Sequence, residues 1–304
     1  MRHLRSLLDC SRDDVETILD LAVELKSELH AGTRTPRLAG CVLGQIFDKP
    51  SLRTRGSFEA AMTQLGGGSL FFTGRQIGLD GRESPEDVAR VYGGYADVIA
   101  IRTFEQSLVD TFADLSGVPI INALTDDFHP CQALTDLLTL KEHFGDLKSQ
   151  RLTYVGDGNN VAVSLAIACG LLDIPIRIAA PDGYFIPDNM VARIRSHAPQ
   201  LDLDQTTDPH AAVADSTAIY TDVWASMGQE DEKAERAQVF ADFQVNEALV
   251  DAAPSDAVIL HCLPARRGLE ITDGVMEHER SLVFPQAENR MHLAKALICW
   301  LLDR

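Results

Sequence analysis

The sequence lacks a long apolar run, and this absence limits the class of protein. No stretch of the 304 residues approaches the roughly 20 apolar residues that a membrane-spanning helix needs. Residues 1–5 continue into a charged segment without the apolar core of an export signal. We therefore expect a cytoplasmic protein with no membrane partner.

Cysteine is sparse and widely scattered, and no two cysteines have the close spacing of a metal-ligand or redox pair. The six positions are Cys10, Cys41, Cys131, Cys169, Cys262 and Cys299. Reduced thiols are the simpler interpretation, and a metal site is disfavoured because no second cluster has ligand spacing.

Positive charge is also deficient. Lysine and arginine number 27 against 45 aspartates and glutamates, for a formal net charge of -18. Nucleic acid is an improbable partner for such a surface, because phosphate backbones are bound by basic patches. An anionic substrate would need arginines concentrated in a cleft, where the local field overrides the total charge.

No linker rich in proline, glycine or serine divides the chain. Helical and strand-like segments alternate, which predicts an α/β fold of two domains, each with a mostly parallel sheet flanked by helices. We place the domains at residues 1–135 and 136–288, with a C-terminal helix at 289–304 joining the first. Predicted strands are 41–47, 69–72, 98–101, 119–122, 152–155, 175–180, 217–221 and 257–261, and predicted helices include 160–172 and 187–197.

Residues 50–55 carry the strongest local signal in the chain. Pro50 suits a first helical turn and Ser51 suits a helix cap. Arg53 and Thr54 then add a cation and a hydroxyl at the positive end of the helix dipole. The pattern favours a phosphate site, although a solvated, charged helix start would look similar.

Two further candidates lie in the first half. His129 and Gln132 follow the predicted strand 119–122, and Arg102 directly follows the strand 98–101. Open parallel sheets bind ligands at these carboxyl ends, where such side chains can donate to a carbonyl or phosphate oxygen. A capping histidine and a surface arginine are the alternatives.

The second half offers three weaker candidates. The turn at 156–161 resembles a nucleotide-binding turn but has valine at the third glycine position of GxGxxG. Asp222 ends a strand and could pair with an ammonium group, or could be a turn aspartate. The pair His261 and Cys262 could be nucleophilic, metal-binding or a substrate clamp, and Arg290, where we predict the last helix to open, could reach an anion.

Six motifs together resemble the aspartate/ornithine carbamoyltransferase family, and within it the ornithine-specific branch. They are SLRTR at 51–55, HPCQ at 129–132, DGNN at 157–160, DVWASMG at 222–228, HCLP at 261–264 and ENRMH at 288–292. Aspartate-specific members typically carry HPTQ and an arginine-rich substrate loop, whereas this chain has Ser226, Met227 and Gly228 there.

The resemblance implies transfer of the carbamoyl group from carbamoyl phosphate to L-ornithine, giving citrulline and phosphate in arginine biosynthesis or catabolism, without a cofactor. The first domain would bind carbamoyl phosphate and the second ornithine. The implied carbamoyl phosphate residues are Ser51, Leu52, Arg53, Thr54, Gln76, Arg102, His129, Gln132, Cys262, Leu263 and Arg290. The implied ornithine residues are Asn160, Asp222, Ser226 and Met227, and Arg102, His129 and Cys262 would be catalytic.

The family also implies a homo-oligomer, expected to be a trimer, in which Gln76 serves the neighbouring subunit's site. A lid at 224–236, with cleavable Lys233 and Arg236, is expected to close over the substrates. One position departs from the pattern, because Leu52 stands where the family usually has threonine. We assign Arg55 to an ion pair.

Three alternatives stay open from the sequence. The chain could carbamoylate another amine, such as putrescine or N-acetylornithine. It could be an NAD-dependent dehydrogenase built on the turn at 156–160. It could also be a non-catalytic homologue serving in assembly or regulation.

Overall fold

The computed structural model describes residues 1–225 and 230–304. The chain divides into two compact units, which we call unit 1 (Met1–Leu138 with Glu288–Arg304) and unit 2 (Thr139–Ala287). The predicted boundaries at residues 135 and 288 lie close to these divisions. Both divisions fall inside helices.

Unit 1 contains a parallel sheet of four strands in the order β2-β1-β3-β4. The strands are β1 (Val42–Phe47), β2 (Gly68–Phe72), β3 (Val98–Arg102) and β4 (Ile120–Leu124). Its helices are α1 (Arg12–His30), α2 (Leu52–Gln64), α3 (Pro85–Gly93), α4 (Gln106–Leu115) and the start of α5 (Pro130–Phe144). The register pairs Phe47 with Arg102 and Arg102 with Leu124, so three carboxyl ends meet at one edge.

Local sequence rules account for the helix starts in unit 1. Ser11 and Asp14 form a capping box at α1, and apolar residues at helical spacing bury one face. Ser51 caps α2 by accepting from the Thr54 N–H, as predicted. Pro50 was placed wrongly in the first turn, because it precedes the cap and lies outside the helix.

Unit 2 contains a parallel sheet of five strands in the order β7-β6-β5-β8-β9. The strands are β5 (Leu152–Val155), β6 (Ile176–Ala179), β7 (Leu203–Thr206), β8 (Ala218–Thr221) and β9 (Val258–His261). Its helices are α6 (Asn160–Leu172), α7 (Asp188–His197), α8 (Pro209–Val213), α9 (Lys233–Val239), α10 (Glu247–Asp251) and α11 (Asp273–Met276). The sequence analysis missed β7, because an edge strand with three polar residues in four gives little apolar signal.

The last helix, α12 (Val283–Leu301), begins six residues earlier than the predicted 289. Pro285 lies in the first turn of α12, where proline fits because the first N–H groups of a helix have no intrahelical acceptor. Arg290 therefore lies in the interior of α12 and not at its opening. None of the helices in the described residues is both long and apolar enough to cross a membrane.

Candidate active site

The carboxyl ends of β1 and β3 are tied together by hydrogen bonds in unit 1. The Asp48 N–H donates to the Arg102 carbonyl at 2.9 Å. The Thr103 hydroxyl donates to the Asp48 carboxylate at 2.7 Å. These contacts fix the chain just before α2, so they set where the phosphate motif begins.

A buried polar cluster stands at the N-terminus of α2. Arg290 donates to the Thr54 hydroxyl at 3.1 Å and to the Gln132 side-chain carbonyl. The Ser51 hydroxyl also donates to Thr54 Oγ1, at 2.9 Å. Thr54 Oγ1 thus accepts two hydrogen bonds, so its own proton points away from both donors. Gln132 donates in turn to Asp136 at 2.7 Å, which fixes the orientation of its amide.

Three arginines surround His129, which is fully buried. Desolvation is the largest cause that holds the pKa of His129 well below its ordinary value of 6.5, followed by the charges of Arg290, Arg102 and Arg53. A neutral imidazole can donate one N–H to a carbonyl oxygen without adding charge. The structure therefore brings four of the predicted residues into one electropositive group, despite the net charge of -18.

The His129 environment predicts how stability depends on pH. Below about pH 6.5 the unfolded chain protonates this histidine while the folded chain does not, so acid favours unfolding. As the pH falls below this value, we expect the protonation of His129 in the unfolded chain to lower the free energy of unfolding of the parent by up to about 1.4 kcal/mol per pH unit. His129→Gln should show a shallower slope in urea titrations between pH 6.5 and 5. Equal slopes in the two proteins would refute the assignment.

Lys49 belongs to this region and was missed by the sequence analysis. Its ammonium donates to Asp126 at 2.8 Å and lies 3.9 Å from the centre of the Phe104 ring. The side chain is buried, so the pair fixes the loop between β1 and α2. The sequence signal that could have found Lys49 is its position directly before the phosphate motif at residues 50–55.

Three other predicted positions in unit 1 lie at its surface. The Leu52 side chain is 85% exposed at the first position of α2. Gln76 is exposed in a turn, where its carbonyl accepts from the Thr73 N–H at 2.8 Å. Arg55 pairs with Glu59 at 2.8 Å, as the assigned ion pair requires.

In unit 2, Asn159 links the turn after β5 to the end of β8. Its carbonyl caps α6 by accepting from the Val161 and Ala162 N–H groups, and its amide donates to Asp222 at 3.1 Å. Asn160, the predicted ligand, is the first residue of α6. The sequence analysis saw two asparagines but could not tell which of them fixes Asp222.

The same turn argues against the dinucleotide alternative. A Cβ at Gly158 would lie 2.5 Å from the Ile186 backbone nitrogen, so this glycine serves close packing of the chain on itself. The N–H groups at the start of α6 are already taken by Asn159. Close packing at Gly158 and the engaged N–H groups of Val161 and Ala162 therefore disfavour a pyrophosphate at this turn.

Asp222 and Cys262 form a hydrogen-bonded pair at the ends of β8 and β9. The Cys262 thiol donates to Asp222 Oδ1 at 2.9 Å, and the Val223 N–H donates to the same oxygen at 2.8 Å. Asp222 is 7% exposed. A buried carboxylate held by three donors is suited to an ammonium group, and it orients the thiol.

His261 supports the loop that carries Cys262 and Leu263. Its Nδ1 accepts from the Leu263 N–H at 2.8 Å, so the proton lies on Nε2, which donates to buried Glu270 at 3.1 Å. His261, Cys262 and Asp222 lie close enough for a metal. Both nitrogens of His261 are already engaged, however, so the ring has no lone pair to offer an ion.

The segment predicted as a lid is only partly described. Ser226 and Met227 lie outside the described residues. Lys233 is exposed, but Arg236 is buried and donates to Asp157 at 2.7 Å and to the Trp224 carbonyl at 2.9 Å. The charged run did not indicate that Arg236 is buried, and ligand-dependent cleavage at Lys233 and Arg236 stays a prediction.

Comparisons with known proteins identify two domain families in this chain. The domain family described as aspartate/ornithine carbamoyltransferase, carbamoyl-P binding domain, matches residues 2–142. Its companion, the Asp/Orn binding domain, matches residues 148–301.

The chain is 48% identical to ornithine carbamoyltransferase of Anoxybacillus flavithermus, over 98% of this chain and 95% of that one. It resembles the structure of ornithine carbamoyltransferase from Pyrococcus furiosus with a TM-score of 0.95 and 42% identity, covering 99% of this chain and 97% of that one. The anabolic enzyme from Campylobacter jejuni gives a TM-score of 0.92 at 35% identity, covering 99% of both chains. The chain therefore belongs to the aspartate/ornithine carbamoyltransferase family.

Proposed function

We propose that the chain transfers the carbamoyl group of carbamoyl phosphate to the side-chain amine of L-ornithine, giving L-citrulline and phosphate. The observation that carries this proposal is the buried cluster of Thr54, Gln132 and Arg290 beside His129. Fixed donors at a helix N-terminus suit a phosphate, and the similarity to ornithine carbamoyltransferases supports the amine.

In unit 1 we assign two sets of hydrogen-bond donors to the two ends of carbamoyl phosphate. Ser51, Arg53, Thr54 and the first N–H groups of α2 hold the phosphate, and Arg290 shares its charge. The carbamoyl end belongs to a second set, namely Arg102, His129 and Gln132. As the amine attacks, negative charge develops on the carbamoyl oxygen, and these preoriented donors stabilise it.

In unit 2 the proposed ornithine site is built around Asp222. Its carboxylate pairs with an ammonium group of ornithine, while Asn160, Ser226 and Met227 complete the ornithine site. Cys262 and the Leu263 backbone meet the reacting amine and the carbamoyl group.

The attacking amine has to lose a proton before it can react. A lysine-like amine has an unperturbed pKa of about 10.4 and arrives protonated. A thiol that donates to Asp222 is itself protonated, so it cannot accept that proton. The ammonium group therefore loses its first proton to solvent before attack. Once the C–N bond has formed, we propose that the departing phosphate takes the second N–H proton as the carbamoyl C–O bond breaks, while Cys262 orients the amine.

Assembly and location are part of the same proposal. We propose a cytoplasmic trimer in which Gln76 reaches the site of the neighbouring subunit. Support comes from the exposure of Gln76 and from large apolar side chains at the unit 1 surface, such as Leu70 and Tyr95. Light scattering of the native particle tests the trimer.

Citrulline formation from carbamoyl phosphate is the decisive test. We expect turnover with L-ornithine and at least a hundredfold lower kcat/KM with putrescine or N-acetylornithine. Phosphate release should match product formation in each case. A faster reaction with putrescine or N-acetylornithine would show that this amine, and not L-ornithine, is the substrate. If none of the three amines reacts, the chain is a non-catalytic homologue.

Leu52→Thr is expected to strengthen carbamoyl phosphate binding. An added hydroxyl at the first position of α2 can donate to the phosphate, a bond to a charged group worth roughly 1.5 kcal/mol or about tenfold in affinity. The exposed side chain makes a change in stability small. Isothermal titration and thermal melting measure both, with Leu52→Ala as the control that lacks the hydroxyl. Equal affinity for the threonine and alanine variants would contradict the prediction.

A further inference from the structure

Three side chains in unit 1, away from the residues assigned above, have the composition of a metal site. His30 ends α1, and Glu288 and His292 lie one turn apart on α12. Glu288 Oε1 is 3.9 Å from His30 Nε2 and 3.6 Å from His292 Nε2. One ligand atom from each residue lies within 4.8 Å of the other two.

These separations are close to those of a bound zinc ion. Ligands at about 2.0–2.2 Å in tetrahedral arrangement lie roughly 3.4 Å from one another. His30 and Glu288 have side chains that are 61% and 56% exposed, so both can rotate into place. Only short side-chain movements are needed, and a water from solvent supplies the fourth ligand.

A second, independent observation comes from His292. Its side chain is 0% exposed, and among the described residues neither ring nitrogen has a partner at hydrogen-bond distance, although Nε2 lies 3.6 Å from Glu288 Oε1. Buried polar groups without partners are rare in folded proteins. Nε2 faces Glu288, and an ion there would give its lone pair a partner.

The ligands limit which ion fits. Lys295 and Lys26 place two ammonium groups near His292. Lys26 is itself held by the Asn289 carbonyl at 2.7 Å. These ammonium groups oppose any cation, so the ligands decide which ion fits: two imidazoles and one carboxylate suit a borderline ion, whereas hard ions take oxygen ligands.

We propose that His30, Glu288 and His292 bind Zn²⁺ and thereby join the end of α1 to α12. The ion would have three protein ligands and one water, and its role would be to hold the two helices together. None of the three ligands is a residue of the phosphate cluster, so the proposal does not depend on the reaction.

Zinc binding by the full chain tests this site. Cys262→Ser serves as the background, because it removes the thiol that could also bind zinc. Protein stripped with a chelator is dialysed against micromolar Zn²⁺, and bound metal is measured by mass spectrometry. We expect about one ion per chain and a rise in melting temperature on addition of zinc, since a ligand of the folded state stabilises it.

The exposed ligands provide variants that should fold. Adding His30→Ala or Glu288→Gln should weaken zinc binding at least tenfold and remove the rise in melting temperature. His210→Ala, an exposed histidine on α8, is the matched control and should bind as the background does. Absence of zinc from the background protein, or unchanged affinity in both ligand variants, would overturn the proposal.

Discussion

Arg290→Met is expected to lower kcat/KM for carbamoyl phosphate by roughly 100- to 1000-fold, the usual loss when one preoriented donor to developing charge is removed. Arg290 reaches both Thr54 and Gln132 from α12, so its loss also releases the cluster that receives the phosphate. The phosphate charge is present before and after attack. We therefore expect a higher KM for carbamoyl phosphate together with a lower kcat.

Two further variants separate charge from folding. Arg290→Lys keeps the charge but loses the two-pronged geometry, and it should recover only part of the activity. Arg55→Met removes an equal charge from the exposed face of α2 and should leave kcat/KM within a few-fold of the parent, because exposed ion pairs contribute little. Steady-state kinetics with melting temperatures on all three decide the matter. Equal losses of kcat/KM in Arg55→Met and Arg290→Met would mean that the activity depends on net charge and not on the position of Arg290.

Asp222→Asn is expected to lower kcat/KM for ornithine by about a hundredfold or more, because removing one partner of a buried charge pair costs about 3–5 kcal/mol. The substitution keeps the shape of the side chain, so the hydrogen bonds from Val223 and Cys262 can persist. The KM for carbamoyl phosphate should stay near the parent value.

Cys262→Ala should lose less, roughly 10- to 100-fold, since it removes one hydrogen bond to a charged group and no charge. Cys41→Ala, a half-buried free cysteine in unit 1, is the control for cysteine removal. Combining Asp222→Asn with Cys262→Ala should cost less than the product of the two losses, because the pair acts together. If the Cys262→Ala protein still binds ornithine but is as inactive as Arg53→Ala, Cys262 must do more than orient the amine.

Much of the framework was predictable, because it rests on local rules. Ser11 and Ser51 each cap a helix where a hydroxyl precedes a helical pattern. The parallel strands followed from apolar runs alternating with helices, and parallel strands place their carboxyl ends at one edge. Arg102 and Asp222 could be predicted as site residues for that reason.

Other features depended on partners that the sequence does not indicate. Arg236 belongs to a charged run typical of a solvated helix, yet it is buried against Asp157. Glu270 looked like one acidic residue among many, yet it fixes the tautomer of His261. In both cases a distant residue decides whether a charged side chain lies in solvent or in the interior.

The sequence by itself determined the helix caps, the two parallel sheets and the family. Only the tertiary structure decided that Arg290 meets Thr54 across 236 positions of the chain, and that Asn159 is the residue that holds Asp222. The physical reason is the range of the interactions. Caps and periodic burial act between residues a few positions apart, whereas a buried ion or hydrogen bond selects its partner by packing in space.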